Sequence, residues 1–413
     1  MKRVPIFIVL GMILALSTTR SFALVIKVYP GAHNIQKAIS NAHTGDTLSI
    51  QKGIYKEHDI IILKKLIIIG NGLPVIDAES KYQLFIIKCD SVSIEGLQLQ
   101  NIGTASMTDM AGIKIIDAKY VTVKNNCLIN NTFGIYLQNS AYCNVINNII
   151  HCYLKNQLNG GNGVHAWHSD HLLIQGNTLS GHRDGIYFEF VTESKIERNT
   201  SYGNERYGLH FMFSHNDTYT NNTFLDNGAG VAVMYSKGVI MRDNVFAHNW
   251  GDASYGLLLK EISNSKIVHN KFIKNTTGLY METTTNVDVK NNLFQDNGWA
   301  CRIEASCSGS DIIENNFIGN SFDVATNGTL MLNNFNRNYW DKYDGYDLDK
   351  NHIGDVPYYP VSVYSVLTEK IPVAMILYHS LLTDILDQVE KVMPTIIPDK
   401  LKDDHPMMKK IKL

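Results

Sequence analysis

The sequence predicts an all-β protein, a parallel β-helix, because two markers recur along it with one period. Asparagine, followed two residues later by an apolar residue, returns mostly every 22 or 23 residues, and the last interval is 18. Glycine returns in step with it. The asparagines are Asn126, Asn148, Asn177, Asn199, Asn222, Asn244, Asn270, Asn292, Asn315 and Asn333. The glycines are Gly134, Gly163, Gly185, Gly208, Gly230, Gly256 and Gly278.

A repeat of this length is too short to bury a core of its own, so neighbouring repeats must stack. The segments between the markers are short, rich in β-branched and aromatic residues, and bounded by Asn and Gly, which favours strands over helices. Stacking would place each asparagine above the previous one. We therefore expect their side-chain amides to hydrogen-bond as a ladder.

Residues 1–23 have the pattern of a cleaved secretory leader. Lys2 and Arg3 precede an apolar run, and Ser21-Phe22-Ala23 is a small-x-small cleavage pattern. We expect cleavage after Ala23 and export to a compartment that permits disulfides. The apolar run is too short to favour the alternative, an uncleaved anchor.

The β-helix is expected to cover residues 24–340, and its first coil needs a cover. Ile35, Ala38, Ile39 and Ala42 have helical spacing. They predict a short amphipathic helix that closes the N-terminal end of the solenoid.

Residues 341–360 are rich in Asp, Gly and aromatic residues and are expected to form a C-terminal cap. Asp344, Asp347, Asp349 and Asp355 offer oxygen ligands for a hard structural cation. Their spacing is not that of an EF-hand, so turn-forming and helix-capping aspartates are the favoured interpretation.

Residues 361–413 form a tail with a different pattern. Leu382, Ile385, Val389 and Val392 are spaced as on one face of an amphipathic helix. This helix either folds back on the solenoid or docks onto a partner. The function favoured below makes these four residues candidates for partner binding.

Alignment of the repeats on the glycine separates inward from outward positions. The first and third residues after it are apolar and are expected to face the core. The second and fourth are expected to face outward as two exposed columns, with about 4.8 Å between coils. The second positions are Tyr136, His165, Tyr187, His210, Ala232, Leu258 and Tyr280. The fourth positions are Gln138, Trp167, Glu189, Met212, Met234, Lys260 and Glu282.

The outward columns combine imidazole, thioether and carboxylate groups. Thioether with imidazole is a ligand set suited to Cu(I). The candidate copper ligands are His210, Met212, Met234, His165 and Glu189. Methionine and aromatic residues also mark protein interfaces, which makes Tyr187, Trp167 and Tyr235 candidate partner-binding residues. The two interpretations are compatible, because a protein that passes metal to a client needs both.

Charge and cysteine content add little. The formal net charge is −2, so there is no electrostatic footprint for nucleic acid. Six cysteines follow the leader, with neither zinc-site nor CxxC spacing. Buried thiols are favoured, and a pair between Cys301 and Cys307 stays open.

Several segments together resemble one family. These are "GHRDGIYFEF", "RYGLHFMFSHND", "GAGVAVMYSKGV", "YGLLLKEISN" and "YDGYDLDKNHIGDVPYYP". They are similar to the NosD family of exported maturation factors for nitrous oxide reductase. The resemblance implies a periplasmic, right-handed parallel β-helix of the pectin-lyase-like type. It also implies a complex with an ABC transporter, made of a membrane subunit and a cytoplasmic ATPase, that serves biogenesis of the copper–sulfide centre.

The resemblance favours a non-enzymatic maturation factor that handles copper or docks the client reductase or a copper chaperone. It leaves open whether copper or sulfur is the species moved. No GxxxxGK[ST] phosphate-binding loop is present, so ATP would be hydrolysed by another subunit.

Two other classes of function are compatible with a β-helix. One is a lyase, epimerase or hydrolase acting on uronate polymers, with Glu189, Glu282 and Glu304 as its outward carboxylates. Methionines are poor groups for sugar binding, and fold alone is weak evidence of activity. The other class is a purely structural or adhesive solenoid, which the His/Met column disfavours.

Overall fold

The computed structural model describes residues 23–105, 108–153, 160–328, 332–371, 380, 385 and 401–413. The predicted leader lies outside these residues except for Ala23. The predicted tail helix lies outside them except for Ile385, which is helical and half exposed (50%).

The described residues form 39 strands and two helices. In chain order they are β1 (Val25–Val28), α1 (Asn34–Asn41), β2 (Thr47–Ile50), β3 (Ile54–Tyr55), β4 (Ile60–Ile62), β5 (Ile67–Gly70), β6 (Val75–Asp77), β7 (Phe85–Ile87), β8 (Ser93–Glu95), β9 (Gln98–Gln100), β10 (Ala111–Ile116), β11 (Thr122–Lys124), β12 (Cys127–Ile129), β13 (Phe133–Gln138), β14 (Asn144–Ile146), β15 (Ile149–His151), β16 (Asn162–Trp167), β17 (Leu173–Gln175), β18 (Thr178–Ser180), β19 (Asp184–Glu189), β20 (Lys195–Glu197), β21 (Thr200–Tyr202), β22 (Tyr207–Met212), β23 (Thr218–Thr220), β24 (Thr223–Leu225), β25 (Ala229–Met234), β26 (Ile240–Arg242), β27 (Val245–Ala247), β28 (Tyr255–Lys260), β29 (Ser263–Val268), β30 (Lys271–Ile273), β31 (Thr277–Glu282), β32 (Thr285–Lys290), β33 (Leu293–Gln295), β34 (Trp299–Ile303), β35 (Ser308–Ile313), β36 (Asn316–Ile318), β37 (Phe322–Ala325), β38 (Leu332–Asn336), β39 (Tyr339–Trp340) and α2 (Val363–Lys370).

Each repeat gives one strand to each of three parallel sheets, which confirms the predicted β-helix. Sheet A has 14 strands, in the order β1-β2-β5-β8-β11-β14-β17-β20-β23-β26-β29-β32-β35-β38. Sheet B has 13, in the order β3-β6-β9-β12-β15-β18-β21-β24-β27-β30-β33-β36-β39. Sheet C has 12, in the order β4-β7-β10-β13-β16-β19-β22-β25-β28-β31-β34-β37.

The core is a set of columns made of equivalent residues from successive coils. The clearest is a stack of buried phenylalanines on sheet B, with neighbouring ring centroids 4.7–5.6 Å apart. Its members are Phe224, Phe246, Phe272, Phe294 and Phe317. Burial of each aromatic side chain contributes roughly 2–3 kcal/mol, so the stack stabilises the solenoid over its C-terminal half.

The predicted asparagine ladder is present at one corner of the solenoid. In nine successive steps the backbone N–H and the side-chain amide of one asparagine both donate to Oδ1 of the next, at 2.9–3.1 Å. The amide also donates to a backbone carbonyl, as Asn222 does to Ile196 at 2.9 Å. Each buried amide is therefore satisfied by its neighbours alone.

One predicted member of the ladder was wrong. The last asparagine is Asn338, which lies 23 residues after Asn315 and accepts from it. Asn333 belongs to another corner, where it accepts from the backbone of Ser310 at 3.1 Å. The short interval of 18 residues was the sign that Asn333 is out of register.

A second asparagine ladder, missed by the sequence analysis, runs five residues behind the first. Its backbone N–H groups donate to the next Oδ1 at 3.0–3.1 Å. Its members are Asn204, Asn227, Asn249, Asn275, Asn297 and Asn320. In one coil His182 takes the equivalent place and donates its backbone N–H to Asn204. Burial lowers the pKa of His182 to about 4, so it is neutral there.

The N-terminal end is closed by α1, as predicted. Ile35 and Ile39 are buried against the first coils. The fully buried carboxylate of Glu57 accepts from the backbone N–H groups of Ile35 and Gln36 at 3.1 and 2.7 Å. These are orphan donors of the first turn, and a carboxylate there is also favoured by the helix dipole.

The C-terminal end is closed by the last residues of the chain. Asp403 is fully buried and accepts from the backbone and side chain of Asn338 at 2.9 and 3.0 Å. It also accepts from Trp340 Nε1 at 3.1 Å and from the backbone of Arg337 at 3.0 Å. Residues 401–413 thus fold back onto the last coil, so this part of the predicted docking tail packs on the solenoid.

Helix α2 follows the cap and begins at a capping box in which Ser362 and Ser365 bond reciprocally. Its residues Tyr364 and Thr368 are buried. Neither α1 nor α2 has the length and apolar content needed to cross a lipid bilayer, and no other described segment does.

The aspartates of the cap form turns. Asp347 accepts from the backbone of Asn351 and His352 at 3.1 and 2.9 Å. Asp349 accepts from the backbone and side chain of Asn351 at 3.2 and 2.9 Å. Among the described residues, no group of three or more His, Cys, Asp or Glu is arranged to hold a metal ion. The hydrogen bonds of Asp347 and Asp349 to backbone N–H groups two to five residues later are those of turn-forming aspartates.

Asp217 is a buried acid at a corner where the two neighbouring coils carry Ser194 and Val239. Its Oδ1 accepts from the backbone of Ser194 at 2.8 Å, and its Oδ2 has no partner among the described residues. Burial raises its pKa to about 8, and the negative charge of Glu193 adds to this shift. Asp217 is therefore mostly protonated in the folded protein at neutral pH.

We predict that Asp403→Ala lowers the free energy of unfolding by about 2–4 kcal/mol, because buried donors at the end of the ladder lose their acceptor. Asp404→Ala is the matched control. Asp404 is half exposed and pairs with Lys402, so its removal is expected to change stability by no more than about 0.5 kcal/mol. Chemical denaturation and hydrogen exchange of the last two coils measure the effect. Equal stability of the two variants would contradict the capping role.

We also predict a pH-dependent gain in stability for Asp217→Asn. The folded-state pKa lies above the unfolded value of about 3.9, so stability from this group is fully present below about pH 4. It is lost as the pH rises toward about 8. The difference in Tm between the variant and wild type should grow from pH 5 to pH 8. Asp226→Asn, at an exposed acid, is the control, and parallel pH profiles of wild type and Asp217→Asn would refute the assignment.

Candidate functional site

The two outward columns lie on sheet C in the predicted register. In β13, β16, β19, β22 and β25, Tyr136, His165, Tyr187, His210 and Ala232 are paired in succession. We call these five residues the first column. The second column pairs Gln138, Trp167, Glu189, Met212 and Met234.

The first four residues of the first column form a continuous stack of rings. Tyr136 and His165 are nearly parallel with centroids 4.5 Å apart. His165 and Tyr187 follow at 4.9 Å, and His210 meets Tyr187 edge to face at 4.9 Å. Because Tyr187 stands between them, the two imidazoles do not meet, and they cannot share one metal ion in this arrangement.

His210 is buried, which corrects the prediction of an exposed imidazole. It is 4% exposed, although its strand places it on the outer face of sheet C. Arg206 and Tyr207, from the start of the same repeat, cover it. Arg206 Nη2 lies 3.2 Å from Nδ1, and the Tyr207 ring centroid lies 4.9 Å away. Its Nε2 has no hydrogen-bond partner among the described residues.

A buried ion pair explains this cover. Asp184 is fully buried, and both of its oxygens accept from the Arg206 guanidinium. His210 Nδ1 lies 3.7 Å from the same carboxylate. Burial opposes ionisation of Asp184, but the hydrogen bonds from Arg206 and the nearby His210 hold its pKa below the ordinary value. The arginine is thus held over the histidine, and loss of either charge would leave the other uncompensated.

His165 is also held by a neighbour. Asn162 Nδ2 lies 2.9 Å from its Nδ1. Burial lowers the pKa of His165 to about 3, so the imidazole is neutral in the folded protein. Its faces are occupied by Tyr136 and Tyr187, and these contacts make it part of the ring stack.

The thioethers of the second column are brought together. Met212 and Met234 occupy paired positions on adjacent strands, and both are partly exposed. Glu189 lies on the strand before Met212. The Tyr187 hydroxyl donates to the Met212 sulfur at 3.6 Å. Burial and the nearby charge of Glu189 raise the pKa of Tyr187 to about 12, so this hydroxyl keeps its proton.

An aromatic ladder borders the methionines. It is formed by the first residue of the turn that follows sheet C in four successive coils. Neighbouring ring centroids lie 4.7, 5.2 and 4.9 Å apart. Its members are His168, Phe190, Phe213 and Tyr235, all with φ between 46° and 53°. Phe190 and Phe213 are 40% and 36% exposed, and we call these four residues the turn ladder.

Of this ladder, only Tyr235 was predicted from the sequence as a partner-binding residue. The other three are the fifth residue after each repeat glycine, a position that was not aligned. Trp167, predicted as a partner-binding residue, joins the second column to the ladder through an edge contact with His168 at 4.2 Å. The methionines and the turn ladder therefore make one partly apolar face.

The outward columns become charged after Met234. Lys260 and Glu282 form an ion pair at 2.7 Å. Tyr280 donates to Glu304 at 2.5 Å, and the Arg302 guanidinium lies 5.3 Å from the Tyr280 ring. Glu189 is four coils away from Glu282, about 19 Å at the spacing of parallel strands. That is too far for the two to act as a hydrolase pair.

The sequence favoured buried thiols over a disulfide between Cys301 and Cys307, and the structure agrees with buried thiols. Cys301 and Cys307 are buried as free thiols, and Cys307 lies 3.3 Å from the Met281 carbonyl. Burial raises the pKa of Cys301 well above its ordinary value. Neither thiol is placed to bind a metal at the outer face.

The segment that carries this face, residues 151–345, matches the family model described as "Periplasmic copper-binding protein (NosD)". The chain carries a NosD-family domain. This confirms the resemblance seen in the sequence. The family itself is described as periplasmic and copper-binding.

A curated relative agrees. The "Probable ABC transporter binding protein NosD" of Pseudomonas aeruginosa is 28% identical over 117 residues, which are 28% of this chain. The matched segment is 27% of the relative's length. That name associates the relative with an ABC transporter.

Solved structures of other proteins share the fold of this solenoid. The mannuronan C-5 epimerase AlgE4 A-module of Azotobacter vinelandii is 15% identical, with a TM-score of 0.54, covering 75% of this chain and 94% of that one. The surface adhesin PfbA of Streptococcus pneumoniae is 13% identical, with a TM-score of 0.60, covering 74% and 94%. The GH87 α-1,3-glucanase of Streptomyces thermodiastaticus is 13% identical, with a TM-score of 0.57, covering 78% and 69%. One epimerase, one adhesin and one glucanase on a single right-handed β-helix show that the fold does not select a function.

Proposed function

We propose that this protein is a non-enzymatic, exported accessory protein of an ABC transporter. It serves maturation of the copper–sulfide centre of nitrous oxide reductase, either by handling copper or by docking the client or a copper chaperone. The family description and the name of the P. aeruginosa relative support the copper and transporter parts. The choice of nitrous oxide reductase as the client rests on the family resemblance seen in the sequence.

The observation that carries the proposal is the pairing of Met212 and Met234 beside the turn ladder. Two thioethers on adjacent strands are soft ligands that favour Cu(I) over hard or borderline ions. Both side chains are partly exposed, so an ion held there remains open to a ligand from another protein. Copper is cargo in this account, and Glu189 would supply a third, weaker donor.

The two histidines have another role in this proposal. His210 is covered by Arg206, and His165 is stacked between two tyrosines. They support the strand that presents Met212 and are not expected to bind copper. We therefore remove His210 and His165 from the candidate copper ligands.

The turn ladder is proposed as the docking surface for the client or chaperone. The rings of the turn ladder stack on one another through their faces, so their edges point to solvent. Such an apolar edge, with Met and Trp at its side, suits a protein surface better than the faces of a sugar polymer. Contact of the tail residues Leu382, Ile385, Val389 and Val392 with the transporter's membrane subunit stays a prediction.

The test is a Cu(I) titration with a competing chelator. Met212→Leu/Met234→Leu keeps volume and removes both sulfurs, so affinity should fall at least tenfold. Met241→Leu, at a fully buried core methionine, is the matched control and should bind like wild type. Wild-type affinity in the double variant would remove this pair as the copper site.

A carbohydrate-active role on the same fold is tested separately. Purified protein is incubated with uronate polymers and assayed for unsaturated or epimerised products. We expect no turnover, because Glu282 and Glu304 are engaged by Lys260 and Tyr280. Turnover abolished by Glu189→Gln would overturn the accessory role in favour of an enzyme.

A further inference from the structure

Exposed aliphatic side chains are concentrated at the N-terminal end of the solenoid. Of the seventeen Ile, Leu and Val residues that are exposed in the described part of the chain, eight lie between residues 24 and 73. Elsewhere they are scattered singly, which is normal for a soluble protein. A cluster of this size on one end is unusual and marks a surface that meets an apolar phase.

Five of these residues lie on the outer face of sheet A or at its two corners. Val25, Ile67 and Ile69 point outward from β1 and β5 of sheet A and are 61%, 37% and 36% exposed. Leu63 precedes β5 at one corner and is 66% exposed, and Leu73 follows β5 at the other corner and is 46% exposed. We call these five residues the N-terminal apolar face.

The outer face of sheet A supplies the contrast. Strand β2, between β1 and β5, carries Thr47 and Ser49 at the same positions. The strands after β5 carry Ser93, Glu95, Thr122 and Lys124 there. The inward positions of these strands are already filled by other apolar residues, such as Ile68 on β5. The outward aliphatic residues therefore do not belong to the core. The aliphatic side chains on this face therefore serve a contact outside the fold.

Three lysines frame the face. Lys27 lies on β1, Lys52 at the corner after β2, and Lys65 at the corner before β5, and all three are exposed. None of the three has an ion-pair partner among the described residues. Asp46, which lies beside them in the chain, is buried, with its carboxylate accepting from the backbone of Leu24 and His43.

We propose that the N-terminal apolar face docks on the surface of an anionic phospholipid bilayer. Aliphatic side chains would enter the boundary between headgroups and acyl chains, and the lysines would meet lipid phosphates. Each lysine near an anionic surface adds to the attraction. The long lysine stems can lie along the apolar surface while their charges stay in water.

The positive charge around the N-terminal apolar face favours an anionic bilayer over a second copy of the protein as its binding partner. A second copy would bring Lys27, Lys52 and Lys65 against an identical set of lysines, since a two-fold interface uses the same patch on both subunits. An anionic bilayer complements all three at once. Lys27 on the edge strand β1 also opposes strand pairing with another chain.

The experiment is vesicle flotation with protein purified from the periplasm, its N-terminus determined by mass spectrometry. Vesicles of phosphatidylcholine alone are compared with vesicles holding 30 mol% phosphatidylglycerol, a value chosen as about that of an anionic bacterial membrane. We expect flotation with the anionic vesicles only, and its loss in high salt because the lysine contribution is screened.

Ile67→Thr/Ile69→Thr keeps β-branched side chains in the strand and removes apolar surface, so flotation should fall at least tenfold. Ile240→Thr is the matched control, because Ile240 is equally exposed (36%) on the same sheet far along the solenoid. It should float like wild type. Unchanged thermal melting of all variants shows that folding is not the cause.

Three results would overturn the proposal. One is absence of flotation with anionic vesicles. Another is flotation that survives Ile67→Thr/Ile69→Thr and depends only on a retained leader. The third is a dimer, seen by light scattering, that those substitutions disperse without any lipid binding. None of these results bears on Cu(I) binding by Met212 and Met234, which lie on sheet C.

Discussion

The asparagine ladder is the interaction on which the rest of the solenoid depends. A primary amide is the one uncharged side chain with two donors and an acceptor of similar strength, so a column of identical residues satisfies itself without water. Each step fixes the register of one coil on the next, because a slip by one residue would strand several buried donors. A carboxylate only accepts, and for this reason Asp403 can end the ladder but could not continue it.

Register then determines what the outer face presents. With Asn199, Asn222 and Asn244 in line, Met212 and Met234 become neighbours, and the turn ladder stacks beside them. The composition of each outward column therefore becomes a surface pattern along the solenoid axis. That pattern is aromatic and thioether-rich in the middle, charged towards the C-terminal end, and aliphatic with lysine at the N-terminal end of sheet A. Three surfaces of different chemistry stand on one rigid scaffold.

Periodicity was enough to predict the fold, the N-terminal helix and the pairing of Met212 with Met234, because each follows from the repeat or from helical spacing. The burial of His210 was not predictable in the same way. It depends on a charged pair, Asp184 and Arg206, whose meeting across adjacent coils lies outside the alignment on glycine. The capping role of Asp403 joins residues 65 positions apart, beyond any local pattern. The turn ladder was missed because its members sit at positive φ in turns, where alternation of faces no longer applies.

In the proposed function, register brings the two methionine sulfurs together and keeps the histidines away from copper. X-ray absorption spectroscopy of the Cu(I)-loaded protein tests this most directly, because sulfur and imidazole ligands scatter differently. We predict copper bonded to sulfur, without the multiple-scattering signature of imidazole. A spectrum dominated by histidine nitrogen would contradict the account, since His210 and His165 would then have to leave the places that the stack and Arg206 hold them in.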